Sequence, residues 1–545
     1  MHDPSAPWWR DAVFYEIYVR SFVDSNGDGV GDLPGVRSHL RHLYDLGVDA
    51  IWLTPFYLSP MADHGYDVAD YRAVDPLFGT LADVDALIAD AHELGMRLVV
   101  DLVPNHTSAQ HPWFQAALAA EPDSPERDRY IFQPGRGASG ELPPNNWTSR
   151  FGGSAWQRVT EPGGHPGEWY LHLFDPGQPD LNWRNPEVVE EFDSILAFWL
   201  DRGVDGFRID VAHGLFKDPG FPDSTTDLHP GMAGYVGPTP MWNQPEVHDI
   251  YRRWRKILDS YGGARMAIAE TWAEGPASLA EYVRSDELHQ TFNFDFLQTS
   301  WSAAAFREVV DESMGATSLV DAVTTWVLSN HDVQRHVTRY GGGEIGVRRA
   351  RAAIVFMLAL PGPVYLYQGE ELGLPEVTDL PDAALQDPIW ERSGHTVRGR
   401  DGCRVPMPWS GTQPPYGFVR AETPGAQEAQ GVQPWLPMPE DWAHLTAQAE
   451  GVDPGSMLSL YRSALRIRRE HPALGSGTMR WLESSDVPEA GHDDVLLFVR
   501  DPGLVCALNC GDEPATLPAH REVLLSSAPV GDGMLPGNAA AWLSV

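Results

Sequence analysis

Gly206-Phe207-Arg208-Ile209-Asp210 is the stretch on which the fold turns. Apolar Phe207 and Ile209 alternate with Arg208 and Asp210, and in an extended strand residues two apart point to the same side. The reading is a strand whose C-terminal end carries a guanidinium and a carboxylate on one face. Three other apolar runs end in the same way: 98–100 on Asp101, 266–269 on Glu270, and 326–329 just before Asp332.

Working outward, strand-like runs occur at 12–19, 49–53, 97–102, 206–209, 266–269, 293–296, 324–328 and 364–367. Helical segments such as 36–46, 81–92, 188–200, 250–258 and 349–360 separate most of them. That alternation is the pattern of parallel βαβ units. An open doubly wound sheet shares it, but such sheets gather their ligand at one switch point, whereas here polar residues close several strands. The expectation is an α/β fold, an eight-stranded (β/α)8 TIM barrel formed by residues 1–103 and 173–455. The Pro-, Gly-, Asn- and Trp-rich stretch 104–172 is too long for a loop and reads as a small inserted domain. Residues 456–545 open with a helix, 457–470, followed by short strand-like runs, and read as an all-β terminal domain. Two further Pro/Gly-rich tracts, 220–244 and 410–440, are expected at the substrate mouth and on the surface.

A net charge of -37 makes nucleic acid a poor partner, because the surface repels phosphate backbones. The apolar stretch 352–366 is broken by Pro361, Gly362 and Pro363 and is too short to span a bilayer, so no membrane association is expected. Cys403, Cys506 and Cys510 are too few for a disulfide framework. A bridge between Cys506 and Cys510 is one reading, and free buried thiols in a reducing compartment the simpler one. With no apolar signal run in residues 1–10, the cytoplasm is the default location.

Arg208 beside Asp210 holds that carboxylate ionised and lowers its pKa, which suits a nucleophile; a purely structural buried pair is the alternative. Glu270 stands two residues before Trp272, and an adjacent ring raises a carboxyl toward general-acid use; a solvated strand-end glutamate is the alternative. Two carboxylates on neighbouring strand ends suit glycoside hydrolysis, one attacking and one protonating the leaving oxygen. Asp332, His106 and His331 are then placed to hold sugar hydroxyls. Tyr66, between Gly65 and Asp67, is read as a stacking platform, with Asp67 binding hydroxyls. A catalytic metal is the rival idea, but no cluster has zinc-motif spacing, so no cofactor is expected for the chemistry. The loop Asp24-Ser25-Asn26-Gly27-Asp28-Gly29-Val30-Gly31-Asp32 has oxygen ligands at alternate positions, as in a calcium loop, although Gly35 stands where such loops carry Glu. A structural Ca2+ or Mg2+ site is expected there, against the alternative of an Asx-turn loop without metal.

Together these motifs resemble the α-amylase superfamily of glycoside hydrolases (family 13), in its oligo-1,6-glucosidase and α-glucosidase branch. The residues that carry the resemblance are Asp101-Leu102-Val103-Pro104-Asn105-His106, Gly206 to Asp210, Glu270 and Asn330-His331-Asp332, with Gln178 to Asn182 and Pro406-Met407-Pro408-Trp409. The resemblance implies Asp210 as nucleophile, Glu270 as acid/base and Asp332 as transition-state stabiliser. It implies Arg208, His106 and His331 as their support, and Tyr66, Asp67, Asp63 and Arg400 around the first glucose. It also implies Asp24, Asn26, Asp28, the Val30 carbonyl and Asp32 as the ion loop, and a terminal β-sandwich. The expected activity is retaining, exo-acting hydrolysis of short α-glucosides. Trehalose synthase, sucrose isomerase, sucrose hydrolase or glucosyl transferase activity are its rivals, and a non-catalytic transporter subunit the rival outside enzymology. Val211 after the nucleophile points toward α-1,6 substrates, without fixing the linkage.

Overall fold

A computed structural model describes residues 6–226, 237–420, 431–475, 478–483 and 493–545. Parts of the two Pro/Gly-rich tracts, 227–236 and 421–430, lie outside them. Eight parallel strands form one sheet: β1 Val13–Ile17, β2 Ala50–Leu53, β3 Arg97–Leu102, β4 Gly206–Ile209, β5 Met266–Ala269, β6 Gln290–Thr291, β7 Trp326–Val327 and β8 Val364–Tyr367. Their order, β6-β5-β4-β3-β2-β1-β8-β7, sets β8 beside β1 and leaves β6 and β7 as the two ends of the curled sheet. Between β6 and β7 the Thr325 hydroxyl donates to the Thr291 carbonyl. This is the expected (β/α)8 barrel.

One strand differs from the sequence reading. Residues 293–296 are not extended: Asn293 caps a helix, Phe294–Gln298, its side chain accepting from Phe296 N–H. The sixth strand is the two-residue Gln290–Thr291. An asparagine before an aromatic run is a helix start, and the cap outweighs the β preference of the two phenylalanines.

Side-chain parity decides what faces the barrel interior. Phe14, Ala50, Trp52, Val99, Met266, Ile268, Val327 and Tyr365 pack there as one cluster, while their neighbours Tyr15, Ile51, Val100, Phe207 and Ile209 face the surrounding helices. The same parity carries Glu16, Asp101 and Arg208 inward, one step nearer the C-terminal rim. The helix Leu81–Glu93 before β3 starts at a capping box of Thr80 and Asp83. Asn185 caps Pro186–Asp201 before β4, with Pro186 in its first turn.

Between β3 and β4 the chain makes a three-stranded antiparallel sheet from Phe132–Gln133, Trp156–Thr160 and Pro166–Leu171. Trp147, Trp156, Leu171 and Leu173 form its core, shared with Met241 and Trp242 from beyond β4. Past the helix Met457–Glu470 lies an antiparallel sheet of Met479–Trp481, Val495–Arg500, Leu504–Asn509, Ala539–Ser544 and Glu522–Ser526, with a two-stranded ribbon beside it. Trp542 docks this all-β unit on the barrel by donating to the Val355 carbonyl at 2.8 Å. The three cysteines are free and buried, and no helix among the described residues is long and apolar enough to cross a membrane.

Candidate active site

The strand ends open into a cavity of about 690 Å3 lined by Asp63, Tyr66, His106, Asp210, Glu270, His331, Asp332 and Arg400, among others. Arg208 lies beneath it. One guanidinium serves three carboxylates: Nη1 donates to Asp210 Oδ1 at 2.6 Å and to Asp101 Oδ1 at 2.9 Å, and Nη2 lies 3.1 Å from Glu270 Oε2. The expected lowering of the Asp210 pKa is overturned, first by burial and then by the neighbouring carboxyls that share Arg208. Burial, with Glu270, Asp101 and Asp332 close by, pushes the Asp210 carboxyl up against the pull of Arg208.

After Asp210 the chain turns sharply. Val211 has φ of +44°, a strained conformation for a β-branched residue. The turn aims its N–H at Glu270 Oε2, 2.9 Å away. Gly214 is required beneath it, since a Cβ there lies 2.7 Å from Val211 Cγ1. Trp272 Nε1 donates to Glu270 Oε1 at 3.2 Å and is braced by Phe294, stacked at 4.0 Å. Glu270 is thus fixed from both sides by groups just beyond the ends of β4 and β5.

Asp332 accepts from Arg400 Nη1 at 3.0 Å and Arg404 Nη2 at 2.9 Å. Burial opposes its ionisation, but His331, Arg400 and Arg404 hold its carboxyl well below the usual carboxylate range. Arg400 also donates to Asp63 at 2.9 Å and is anchored through Nε by Asp387 at 2.7 Å. Burial pushes Asp63 up to about 6 against the pull of Arg400. His106 contacts the Tyr66 carbonyl and Gln178, and burial brings it down to about 4, so it is a neutral ring.

Asp67 is the exception among the expected sugar contacts. It is fully buried and does not line the cavity. Its oxygens accept from Ser59 Oγ, Ala62 N–H and Asp63 N–H at 2.8–3.0 Å. It therefore shapes the turn that presents Asp63 and Tyr66, and Asp63 is the carboxylate that faces the cavity.

Several residues went unrecognised in the sequence. Glu16 meets His331 Nδ1, and its signal was an acid inside the apolar strand 13–17. Arg404 and Asp387 had no local signature. Lys217, one of two lysines in the chain, is fully buried and reaches Asp180 at 2.7 Å, Asn105 at 2.8 Å and the Gly214 carbonyl at 2.6 Å. Asn105 thus ties the inserted region to the barrel and is not part of the cavity wall.

The loop 24–32 is held by its own donors. Asp24 accepts from Asn26, Gly27 and Gly29 N–H, Asn26 from Asp28 N–H, Asp28 from Val30 N–H, and Asp32 from Ser25 and Gly35. Among the described residues no three His, Cys, Asp or Glu side chains converge as metal ligands. The loop's backbone is thus a run of Asx turns built on Asp24, Asn26 and Asp28.

A barrel whose strand ends bring three carboxylates round one sugar-sized cavity is matched by the α-amylase catalytic-domain model over residues 16–477. The chain belongs to the α-amylase family of glycoside hydrolases. Among its α-amylase-family relatives is a probable α-glucosidase of Rhizobium meliloti (strain 1021), 38% identical over 544 residues, 95% of this chain and 92% of that protein. An oligo-1,6-glucosidase of Parageobacillus thermoglucosidasius is 36% identical over 511 residues, 86% of this chain and 85% of that one. A solved α-glucosyl transfer enzyme superposes with TM-score 0.86 at 38% identity, covering 99% of this chain and 100% of that one. The trehalulose synthase of Pseudomonas mesoacidophila MX-45 does so with TM-score 0.86 at 32% identity and the same coverage.

Proposed function

We propose that the protein is a retaining, exo-acting α-glucosidase that cleaves short α-glucosides from the non-reducing end. The observation that carries this is Arg208 contacting both Asp210 and Glu270. A single guanidinium keeps the two carboxyls close, as the retaining pathway needs, where they stand roughly 5–5.5 Å apart. Asp210 attacks C1, giving a glucosyl ester, while Glu270 protonates the leaving oxygen. Glu270 Oε2 takes Val211 N–H and lies beside the Arg208 cation, whereas Oε1 takes only the longer Trp272 N–H, so the transferable proton is assigned to Oε1. Water then attacks the ester with Glu270 as base. Asp332, held ionised by its two arginines, opposes the positive charge that develops on the sugar.

Product analysis by NMR on maltose, isomaltose, sucrose and trehalose tests the reading: α-glucose appearing first supports retention, and initial β-glucose ends it. Asp210→Asn loses activity by several orders of magnitude, and Glu270→Gln suffers least on activated aryl glucosides. The likeness to a transfer enzyme and a trehalulose synthase favours one second reading, glucosyl transfer. Longer sugars at high substrate concentration, or sucrose isomers with little free glucose, are its signature.

Two further points belong to the proposal. The free thiols support a cytoplasmic location. The oxygen positions Asp24, Asn26, Asp28, Val30 and Asp32 support a Ca2+ or Mg2+ clip that stiffens the loop and takes no part in the chemistry. A chelator then lowers the melting temperature, and an unchanged melt with no metal by elemental analysis removes the ion.

A further inference from the structure

Glu16 is 2% exposed, faces the barrel interior from β1 and does not line the cavity. Its Oε1 meets Nδ1 of His331. On the other edge of that ring, Nε2 lies 2.8 Å from the Tyr66 hydroxyl and 3.3 Å from Asp332 Oδ2. Tyr66 and Asp332 both line the cavity, so Nε2 is the nitrogen on the substrate side. The Tyr18 and Tyr66 rings lie near-parallel to the imidazole at 5.5 and 5.4 Å, with interplanar angles of 19° and 10°, which fixes its plane.

The two oxygens near Nε2 decide where its proton lies. Asp332 is ionised, with Arg400 and Arg404 both donating to its other oxygen. The Tyr66 hydroxyl donates to Asp101 Oδ2 at 3.0 Å, so toward His331 it turns a lone pair. Both oxygens therefore call for an N–H at Nε2, since a bare nitrogen beside an anionic oxygen is repelled. A neutral imidazole protonated at Nε2 has a bare Nδ1, which can only accept. An ionised Glu16 against that bare nitrogen repeats the same repulsion on the far side of the ring.

We propose that Glu16 is a positioning residue that supplies the proton between its carboxyl and His331 Nδ1, so that His331 keeps Nε2–H directed at Asp332 and the substrate hydroxyl. The Glu16–His331 pair thus holds two protons, whether the shared one rests on oxygen or on nitrogen. Its surroundings favour the uncharged arrangement. Burial, Asp332 and Asp101 push the Glu16 carboxyl up, and Arg208 and the His331 backbone N–H oppose without reversing that direction. Burial, Arg404, Arg208 and Arg400 push His331 down while Asp332 opposes. The hydrogen bonds then run one way, Glu16 to His331, His331 to Tyr66 and Tyr66 to Asp101, where Arg208 arrives from the nucleophile's side.

The inference rests on the proposed hydrolase reading and is tested with a donor swap. In Glu16→Gln the amide N–H replaces the acid proton at similar reach, whereas Glu16→Met offers no donor. On whichever disaccharide the wild type cleaves, the Gln variant stays close to wild type. The Met variant loses about 10²-fold in kcat, the scale of one misplaced transition-state donor, with a matched melting temperature. Equal losses in both overturn the proposal, because the charge and not the proton then matters; no loss in either overturns it too. Should Glu16→Met not fold, two-bond 1H–15N correlation on 15N-histidine-labelled wild type decides, with the His331 signals assigned by their absence in His331→Asn. Protonated Nε2 supports the proposal, and Nδ1–H with a bare Nε2 overturns it. A wild type that cleaves no disaccharide ends the hydrolase reading while leaving the NMR result standing.

Discussion

Asp63 and Asp67 lie four residues apart, and only Asp63 faces the cavity. Asp67 has its oxygens filled by Ser59, Ala62 and Asp63, so Asp67→Ala leaves two buried donors, the Ser59 hydroxyl and Asp63 N–H, without that partner. A loss of about 1–3 kcal/mol for each such donor is the expected scale, read as a lower melting temperature with the KM of the folded fraction little changed. Asp63→Asn is expected to do the reverse, raising KM at nearly constant melting temperature, because its carboxylate faces the cavity and Arg400. If the two variants exchange these signatures, the assignment of Asp67 to the turn is wrong. Sequence reading placed Asp67 at the first sugar because it saw Gly65-Tyr66-Asp67 as a unit, and Asp63 only through the family resemblance. It had no means of seeing that the turn closes on Asp67 from inside.

At the scale of elements, two buried ionisable groups join parts that the chain keeps separate. Lys217 links the segment after β4 to Asn105 after β3 and to Asp180, eight residues past the inserted stretch 104–172. Lys217→Met leaves the buried Asp180 without its cation, and breaking such a pair costs about 3–5 kcal/mol. An unaltered thermal melt shows that the contact does not hold the insert. Glu370, beyond β8, touches the helix Met457–Glu470 through Tyr461 at 3.4 Å, and its Oε1 has no hydrogen-bond partner. Burial pushes this carboxyl up to about 8, from an ordinary 4.5. A raised value means that the folded chain binds the proton more tightly than the unfolded one. The stabilisation is therefore complete below the ordinary value and lost as pH rises through about 8. Glu370→Gln stays neutral at every pH, so the fall in melting temperature between about pH 5 and about pH 9 shrinks in that variant. A fall of equal size in both proteins removes Glu370 as its source.

For the molecule as a whole, a net charge of -37 implies self-repulsion in the compact state. Raising ionic strength from about 0.01 M to about 0.15 M shortens the screening length from about 30 Å to about 8 Å. The melting temperature is expected to rise over that range, and a flat response shows that local ion pairs already balance the excess. The barrel was legible in the sequence because side-chain parity and strand–helix alternation are local properties. The three cavity carboxylates were legible because each ends an apolar run. Residues 290–291 were missed as the sixth strand because two residues carry no period, and Asn293 with its phenylalanines resembled a strand. The sequence by itself thus determined the strands' inward faces, the barrel and the positions of Asp210, Glu270 and Asp332. Only the tertiary structure decided which groups share a proton or a cation. Arg208 divides its charge among Asp101, Asp210 and Glu270, Arg400 joins Asp63, Asp332 and Asp387, and Glu16 meets His331 from 315 positions away. A carboxyl's pKa and a ring's tautomer depend on burial and on every charge within a few ångströms, and most of those neighbours are brought in by closing the barrel.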